Sequence, residues 1–274
     1  MERFVDVPGG RILAAEEGSG PPIVLIHAAI VDLRSWDELA PMLAAAGYRV
    51  IRYDMRGFGR TVTEDVEFNP RSDLLAVIDA FGVGRAAMVG NSLGGSVALE
   101  TAIESPDRVV AVVTLGSGPA GFEAGLTPVE RDLFEEGDRL QSARPQDADA
   151  LADLLVRVWV DGPGQPADRV PAAIRESVLE AARRQFLPGY VAGRRQRLSP
   201  PANDRLADLG CPTLAVVGAL DLTELVAAAG RLEEAAVDAR AVVWPDVAHM
   251  VAMEQPRRLA SLVTEFLAPL GPWS

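Results

Sequence analysis

The stretch AAMVGNSLGGSVALE, residues 86–100, decides the fold. An apolar run leads into a serine ringed by glycines, and a small-residue run of helical character follows without a gap. Strands want side chains to pack and helices disfavour glycine, so Gly90, Gly94 and Gly95 answer a demand of backbone geometry. The stretch predicts a sharp strand-to-helix turn with Ser92 at its apex, its backbone strained and its hydroxyl lifted above a sheet edge. The helix behind it offers free N–H groups and the positive end of a dipole. Two readings of Ser92 follow: a serine capping a helix after a tight turn, or a nucleophile on display.

Working outward, PPIVLIHA (21–28) reads as a buried strand after a Gly/Pro turn. SWDELAPMLAAAG (35–47) has helical spacing, with Ser35 as N-cap and Gly47 as stop. YRVIRYD (48–54) is the next strand, PRSDLLAVIDAFG (70–82) a helix opened by proline and closed by glycine, and RVVAVVTLG (108–116) a further strand. From about 120 to 204 the chain turns helical, charged and proline-punctuated, as in PVERDLFEEGDRL and PAAIRESVLEAARRQF. Strands return at CPTLAVVGALD (211–221) and ARAVVWPDV (239–247). Continuous apolar strands alternating with helices predict an α/β fold, a mostly parallel sheet with helices on both faces. The interruption predicts a core over 1–119 and 205–274 with a helical cap inserted over 120–204.

Composition narrows the function. A chain of 274 residues suffices for one large α/β domain with an insertion. Its net charge of −13 argues against nucleic acid or an anionic membrane surface as partner. No run reaches the roughly 20 apolar residues of a membrane span, and MERFVDVPGG lacks the apolar stretch of a secretion signal. The single cysteine, Cys211, fits a reducing compartment, so a cytoplasmic location is expected. Two histidines and one cysteine give no metal-ligand spacing, and no G-x-G-x-x-G follows a strand. No cofactor or metal is expected; the partner is a small-molecule substrate.

A serine hydroxyl needs a base to become a nucleophile. His249 follows the last strand, on the face where parallel sheets place ligands, and is the candidate. His27, at the end of its strand, is the other possibility, as a base or as an anchor of its loop. The base needs an acid to fix its tautomer. Asp221, after TLAVVGAL, is the candidate, with a helix N-cap as its alternative role. Asp246 is nearer in sequence to His249 but precedes the loop turn, where a structural role suits it better.

At this point the chain resembles the α/β-hydrolase superfamily. The order Ser92, Asp221, His249 is the order of that fold's triad, and YDMRGFGRT, GNSLGG, VGALD and AHMVAMEQPRRL match it across nearly the whole sequence. The resemblance implies an oxyanion hole from the backbone N–H of Leu93 and of Ala29. Here the chain departs from the family, because HAAI stands where His-Gly is usual and Ala28 restricts φ. Asp32 is either a polar group near the site or a loop anchor. Trp159, Phe134 and Phe186 are candidates for the substrate pocket together with His27; the alternative is that such residues glue the cap to the core. Arg183, Arg184, Arg194, Arg195 and Arg197 form a basic cluster, read either as a solvated face or as an attraction for a carboxylate. A serine at the elbow sets aside the aspartate-dependent dehalogenases and epoxide hydrolases of this superfamily. It implies acyl transfer on an ester or lactone. Carbon–carbon hydrolysis, cofactor-free haloperoxidase or perhydrolase chemistry, and a receptor that binds without turnover are the alternatives.

Overall fold

In the computed structural model, which describes residues 1–143 and 146–273, the apolar runs become a twisted central sheet. Its strands are β1 (Glu2–Val7), β2 (Gly10–Gly18), β3 (Pro22–Ile26), β4 (Arg49–Tyr53), β5 (Ala86–Asn91), β6 (Val109–Leu115), β7 (Thr213–Gly218) and β8 (Ala239–Trp244). Their spatial order is β1-β2-β4-β3-β5-β6-β7-β8, with the two-residue strand Val62–Thr63 added beside β2. From β4 to β8 every pairing is parallel; β1 and β2 are antiparallel to their neighbours. The opening hairpin has no counterpart in the reading of apolar runs. Its outer strand buries only Val5 and exposes Glu2, Arg3 and Phe4, so it carries no continuous apolar signal.

Helices α1 (Leu39–Ala45), α2 (Pro70–Ala80), α3 (Leu93–Glu104), α4 (Pro128–Ser142), α5 (Ala148–Val156), α6 (Ala172–Arg183), α7 (Thr223–Ala235), α8 (Val251–Glu254) and α9 (Pro256–Leu267) complete the chain. Two apolar layers result. On one face Val24, Ile26 and Met88 pack with Leu74, Val97 and Leu232; on the other Ile23, Leu25 and Val89 pack with Leu39, Leu43 and Val263. β3 is buried on both faces, which is why its sequence is a continuous apolar run rather than an alternation. α9 contributes Leu259, Val263 and Leu267, one stripe at helical spacing, and each such burial is worth about 1.5–3 kcal/mol.

The segment expected as one helix over 35–47 is divided. Leu33–Trp36 forms a 3-10 turn whose N-cap is Asp32, not Ser35, and α1 starts only at Leu39. Pro41 has no N–H to donate back to Asp37, so the turn cannot continue as one ladder.

α4, α5 and α6 lie over the loops at the carboxyl edge of the sheet. Val156, Val160, Val178 and Ala182 pack against Ala28, Ile30, Val31 and Met250 from those loops. α4 opens with a capping box in which Thr127 and Glu130 satisfy each other's backbone N–H. α5 ends in a π turn, Arg157–Asp161, that carries Trp159. Among the described residues no helix is long and apolar enough to cross a membrane.

Candidate active site

β5 ends at Asn91 and α3 begins at Leu93, leaving one residue to turn the chain. That residue is Ser92, with φ 54° and ψ −118°, the one non-glycine in the left-handed half of the map among the described residues. The neighbouring glycines do not adopt positive φ. They are required for space. A Cβ on Gly94 would meet the Ile26 carbonyl at 2.1 Å, one on Gly90 the Gly94 carbonyl carbon at 2.3 Å, and one on Gly95 the Ser117 side chain at 2.6 Å. The first turn of α3 is thereby pressed onto the ends of β3 and β5. The Ser92 N–H donates to Leu115 O at 2.9 Å and the Ser117 hydroxyl donates to Ser92 O at 2.7 Å, which hold the strained turn in place.

β7 and β8 deliver the other two candidates. His249 Nδ1 lies 2.8 Å from Asp221 Oδ2, both buried, and Asp221 Oδ1 accepts the Leu222 N–H at 2.8 Å. A carboxylate facing Nδ1 places the ring proton there and leaves Nε2 as the acceptor in the neutral imidazole. Asp221 does not N-cap α7 in the strict sense; Leu222 occupies that position. Gly218 admits the histidine loop, because a Cβ there would sit 2.0 Å from Val247 O.

Gly116 brings the two halves together. It lies between Leu115 and Ser117, the two residues that hold the Ser92 backbone. A Cβ on it would fall 2.8 Å from Asp221 Oδ2 and 2.9 Å from His249 Nδ1. Asn91 adds a tie, donating its side-chain amide to Leu115 O at 2.9 Å and to His249 O at 3.2 Å. Trp159 packs on the imidazole with ring centroids 4.4 Å apart. Asp246 stays outside this group, exposed and directed at Arg258.

Ala29 and Leu93 line one cavity of about 300 Å³, whose walls include Tyr53, Met55, Phe58, Phe68 and Arg195. As the first residue of α3, Leu93 has no intrahelical acceptor for its N–H. Ser92 opens on a second cavity of about 330 Å³ with Ser96, Glu100, Ser117 and Phe122, and Leu93 and Arg195 belong to both. Ala28 keeps an ordinary negative φ and packs its methyl under the helical segment.

Four residues expected at the pocket are placed as follows. His27 is fully buried and lines neither cavity: it accepts the Met55 N–H on Nε2 at 2.9 Å and donates Nδ1–H to Ala28 O at 2.8 Å. Burial drives its pKa down to about 4, so it stays a neutral strut between β3 and the loop after β4. Asp32 caps the 3-10 turn and pairs with Arg34 at 2.8 Å, the loop-anchor alternative. Phe134 is 39% exposed on α4, and neither it nor half-buried Phe186 lines the two cavities. The basic cluster also divides: Arg183 pairs with Asp149, Arg184 with Glu180 and Arg194 with Asp65, while Arg195 and Arg197 have no ion pair among the described residues.

Several positions at the site carried no sequence signal. Gln185 donates to Ala29 O at 2.9 Å; buried Glu130 accepts the Thr223 N–H at 2.6 Å, two residues beyond Asp221. Arg169 pairs at 2.5 Å with Glu254, which accepts the N–H of Ala248, the neighbour of His249. These contacts join residues far apart in the chain, and only the fold brings them together.

Comparison with known proteins agrees with this geometry. The family model described as "Alpha/beta hydrolase family" matches residues 23–262. The chain is 29% identical to the 2-hydroxymuconate semialdehyde hydrolase of Pseudomonas sp. (strain CF600), covering 97% of this chain and 93% of that protein. It is 28% identical to the rhodomycin D methylesterase of Streptomyces sp. (strain C5), over 88% of this chain and 89% of that protein. Among solved structures, Est816, described as an N-acyl homoserine lactone degrading enzyme, superposes with TM-score 0.77 at 26% identity, covering 96% of this chain and 100% of the other. An elbow between a parallel strand and a helix, a His–Asp pair on the neighbouring strand ends and a family match over most of the length lead to one conclusion: this chain belongs to the alpha/beta hydrolase family.

Proposed function

We propose that this hydrolase cleaves a small carboxylic ester or lactone through an acyl-enzyme on Ser92. The reading is carried by a strained serine, φ 54°, held one backbone segment away from a buried His–Asp pair at 2.8 Å. Such strain persists where the surrounding structure over-determines it, and such sites cluster at reacting groups. In this account His249 takes the Ser92 proton as the hydroxyl attacks the carbonyl, and returns it to the leaving alkoxide. Asp221 holds the imidazole tautomer and stabilises the imidazolium. The N–H groups of Leu93 and Ala29 receive the developing oxyanion, a service typically worth about 10²–10³ in rate per donor. Water then releases the acyl group by the same relay. The helical segment 120–204 acts as the cap on the core 1–119 and 205–274, closing the site from above.

Acid release from a panel of esters and lactones, read by pH-stat for wild type beside Ser92→Ala, tests this. Turnover that vanishes with Ser92 is the expected result; turnover that persists overturns it. A second reading, carbon–carbon hydrolysis, is favoured by the relative named for 2-hydroxymuconate semialdehyde. Consumption of that compound by a protein inert to every ester would replace the first reading with the second.

A further inference from the structure

The cavity that starts at Ala29 and Leu93 is walled mainly by apolar side chains: Met55, Phe58, Phe68, Pro70 and Val97. Two polar groups in it bear on what it could hold, Tyr53 and Arg195. Tyr53 is 1% exposed, and its hydroxyl has no hydrogen-bond partner among the described residues. A buried phenol without a partner is rare, because the desolvation of its hydroxyl goes uncompensated. Arg195 stands exposed at the rim of the same cavity, its guanidinium in no ion pair or hydrogen bond among the described residues, with the Glu100 carboxylate as the opposing charge that influences it. The other charges close by are already matched: Arg56 holds Asp73 through bonds of 2.7 and 2.9 Å, and Arg71 holds Glu100 at 2.8 Å and Glu104 at 2.5 Å. The cavity is therefore an apolar slot with a guanidinium in no ion pair at its exposed rim and one unmet neutral donor in its wall, in a protein whose net charge is −13. Its position is fixed by long-range pairing, since Arg195 faces Phe68 in the short parallel ladder Glu67–Phe68 with Arg194–Arg195.

We infer that this slot receives an acyl chain bearing a second carboxylate, which Arg195 binds and to which the Tyr53 hydroxyl donates. Guanidinium suits this task, being permanently charged and presenting paired N–H donors to the two carboxylate oxygens. The apolar wall between the oxyanion donors and Arg195 accepts the methylenes. The inference rests on the reading of Ala29, Leu93 and Ser92 given above and adds the substrate class: half-esters or lactones of dicarboxylic acids.

Matched pairs of p-nitrophenyl esters test it, each a half-ester of an unbranched diacid of four to ten carbons beside the monoacid ester of equal length. Wild type is expected to favour the half-ester by about tenfold or more in kcat/KM at its best length, mostly through KM. Arg195→Gln should remove that preference, losing about tenfold more on the half-ester than on its neutral partner, and Arg195→Lys should recover part of it. Tyr53→Phe should weaken the preference while leaving the melting temperature unchanged or higher, since it deletes an unpaired buried hydroxyl; a merely structural tyrosine would show the reverse. Binding of the same pairs to Ser92→Ala, by calorimetry, reads the Arg195 contact without turnover. Half-ester binding that depends on Arg195 in a protein that hydrolyses nothing would sink the catalytic reading and keep this one. No charged-chain preference at any length, or one that survives Arg195→Gln, overturns the inference.

Discussion

Gln185, just beyond α6, donates its side-chain amide at 2.9 Å to the carbonyl of Ala29, the residue proposed as the second oxyanion donor. The helical segment thus holds the loop that carries Ala28 and Ala29. Deleting the clamp frees that loop without removing a reacting group. Gln185→Ala is expected to lower kcat about tenfold with KM nearly unchanged, less than the 10²–10³ typical of losing an oxyanion donor outright. Gln185→Glu keeps the volume but loses the donor, and should fare no better. Steady-state kinetics of the three proteins on one ester check this, and full activity in Gln185→Glu would show that the side chain merely fills space.

Strain at Ser92 makes an unusual stability forecast. A non-glycine at φ 54° costs on the order of 1–3 kcal/mol, offset in part by the extra unfolded-state entropy a glycine brings. Ser92→Gly should leave stability unchanged or raise it by up to about 2 kcal/mol while abolishing turnover. Urea titration of the variant beside wild type measures the difference.

For Asp221, the expectation is a large catalytic effect with little structural cost. Asp221→Asn retains an oxygen for the Leu222 N–H but favours the wrong histidine tautomer, and kcat should fall by roughly 10⁴. A loss of only a few-fold, in a protein with unchanged thermal unfolding, would remove Asp221 from the relay.

How much of this was legible in the sequence differs by residue. Ser92, Asp221 and His249 follow from strand ends, because a parallel sheet gathers its carboxyl-edge loops whatever the details between them. The continuous burial of β3 and β5 made those strands visible as apolar runs. The outer strand β1 lacked such a run, β2 offered only the short one of Ile12, Leu13, Ala14 and Ala15, and Pro41 divided a helix whose spacing looked unbroken. For His27, Asp32, Phe134 and Phe186 the choice between pocket and scaffold was not legible, because composition shows polarity and size but not which way a side chain faces. Gln185, Glu130 and Arg169 act across 85 residues or more, through Ala29, Thr223 and Glu254, and no local pattern encodes such partners.

The buried strut His27 predicts a pH dependence with a definite sign. Its pKa falls from an ordinary value near 6.5 to about 4 in the fold, so between those values the unfolded chain takes up a proton that the native state refuses. Its contribution is fully present above about pH 6.5 and is lost progressively toward pH 4, a change of about 3 kcal/mol at most. Asp54, pushed up to about 6 by burial, acts in the opposite direction, favouring the fold as pH drops through that value. Comparing wild type with His27→Gln, whose amide can take the Met55 N–H, isolates the histidine. Wild type should lose more stability than the variant between pH 7 and pH 4; parallel curves would contradict the assignment.

The most direct test of the account is the mass of the enzyme caught in mid-reaction. Wild type mixed with a p-nitrophenyl ester, quenched in acid within the first turnovers and digested, should show one acyl group on the peptide containing Ser92. Ser92→Ala should show neither adduct nor p-nitrophenol release. Steady release from Ser92→Ala, or wild-type turnover accompanied by acylation at another residue, would contradict the claim that Ser92 is the nucleophile.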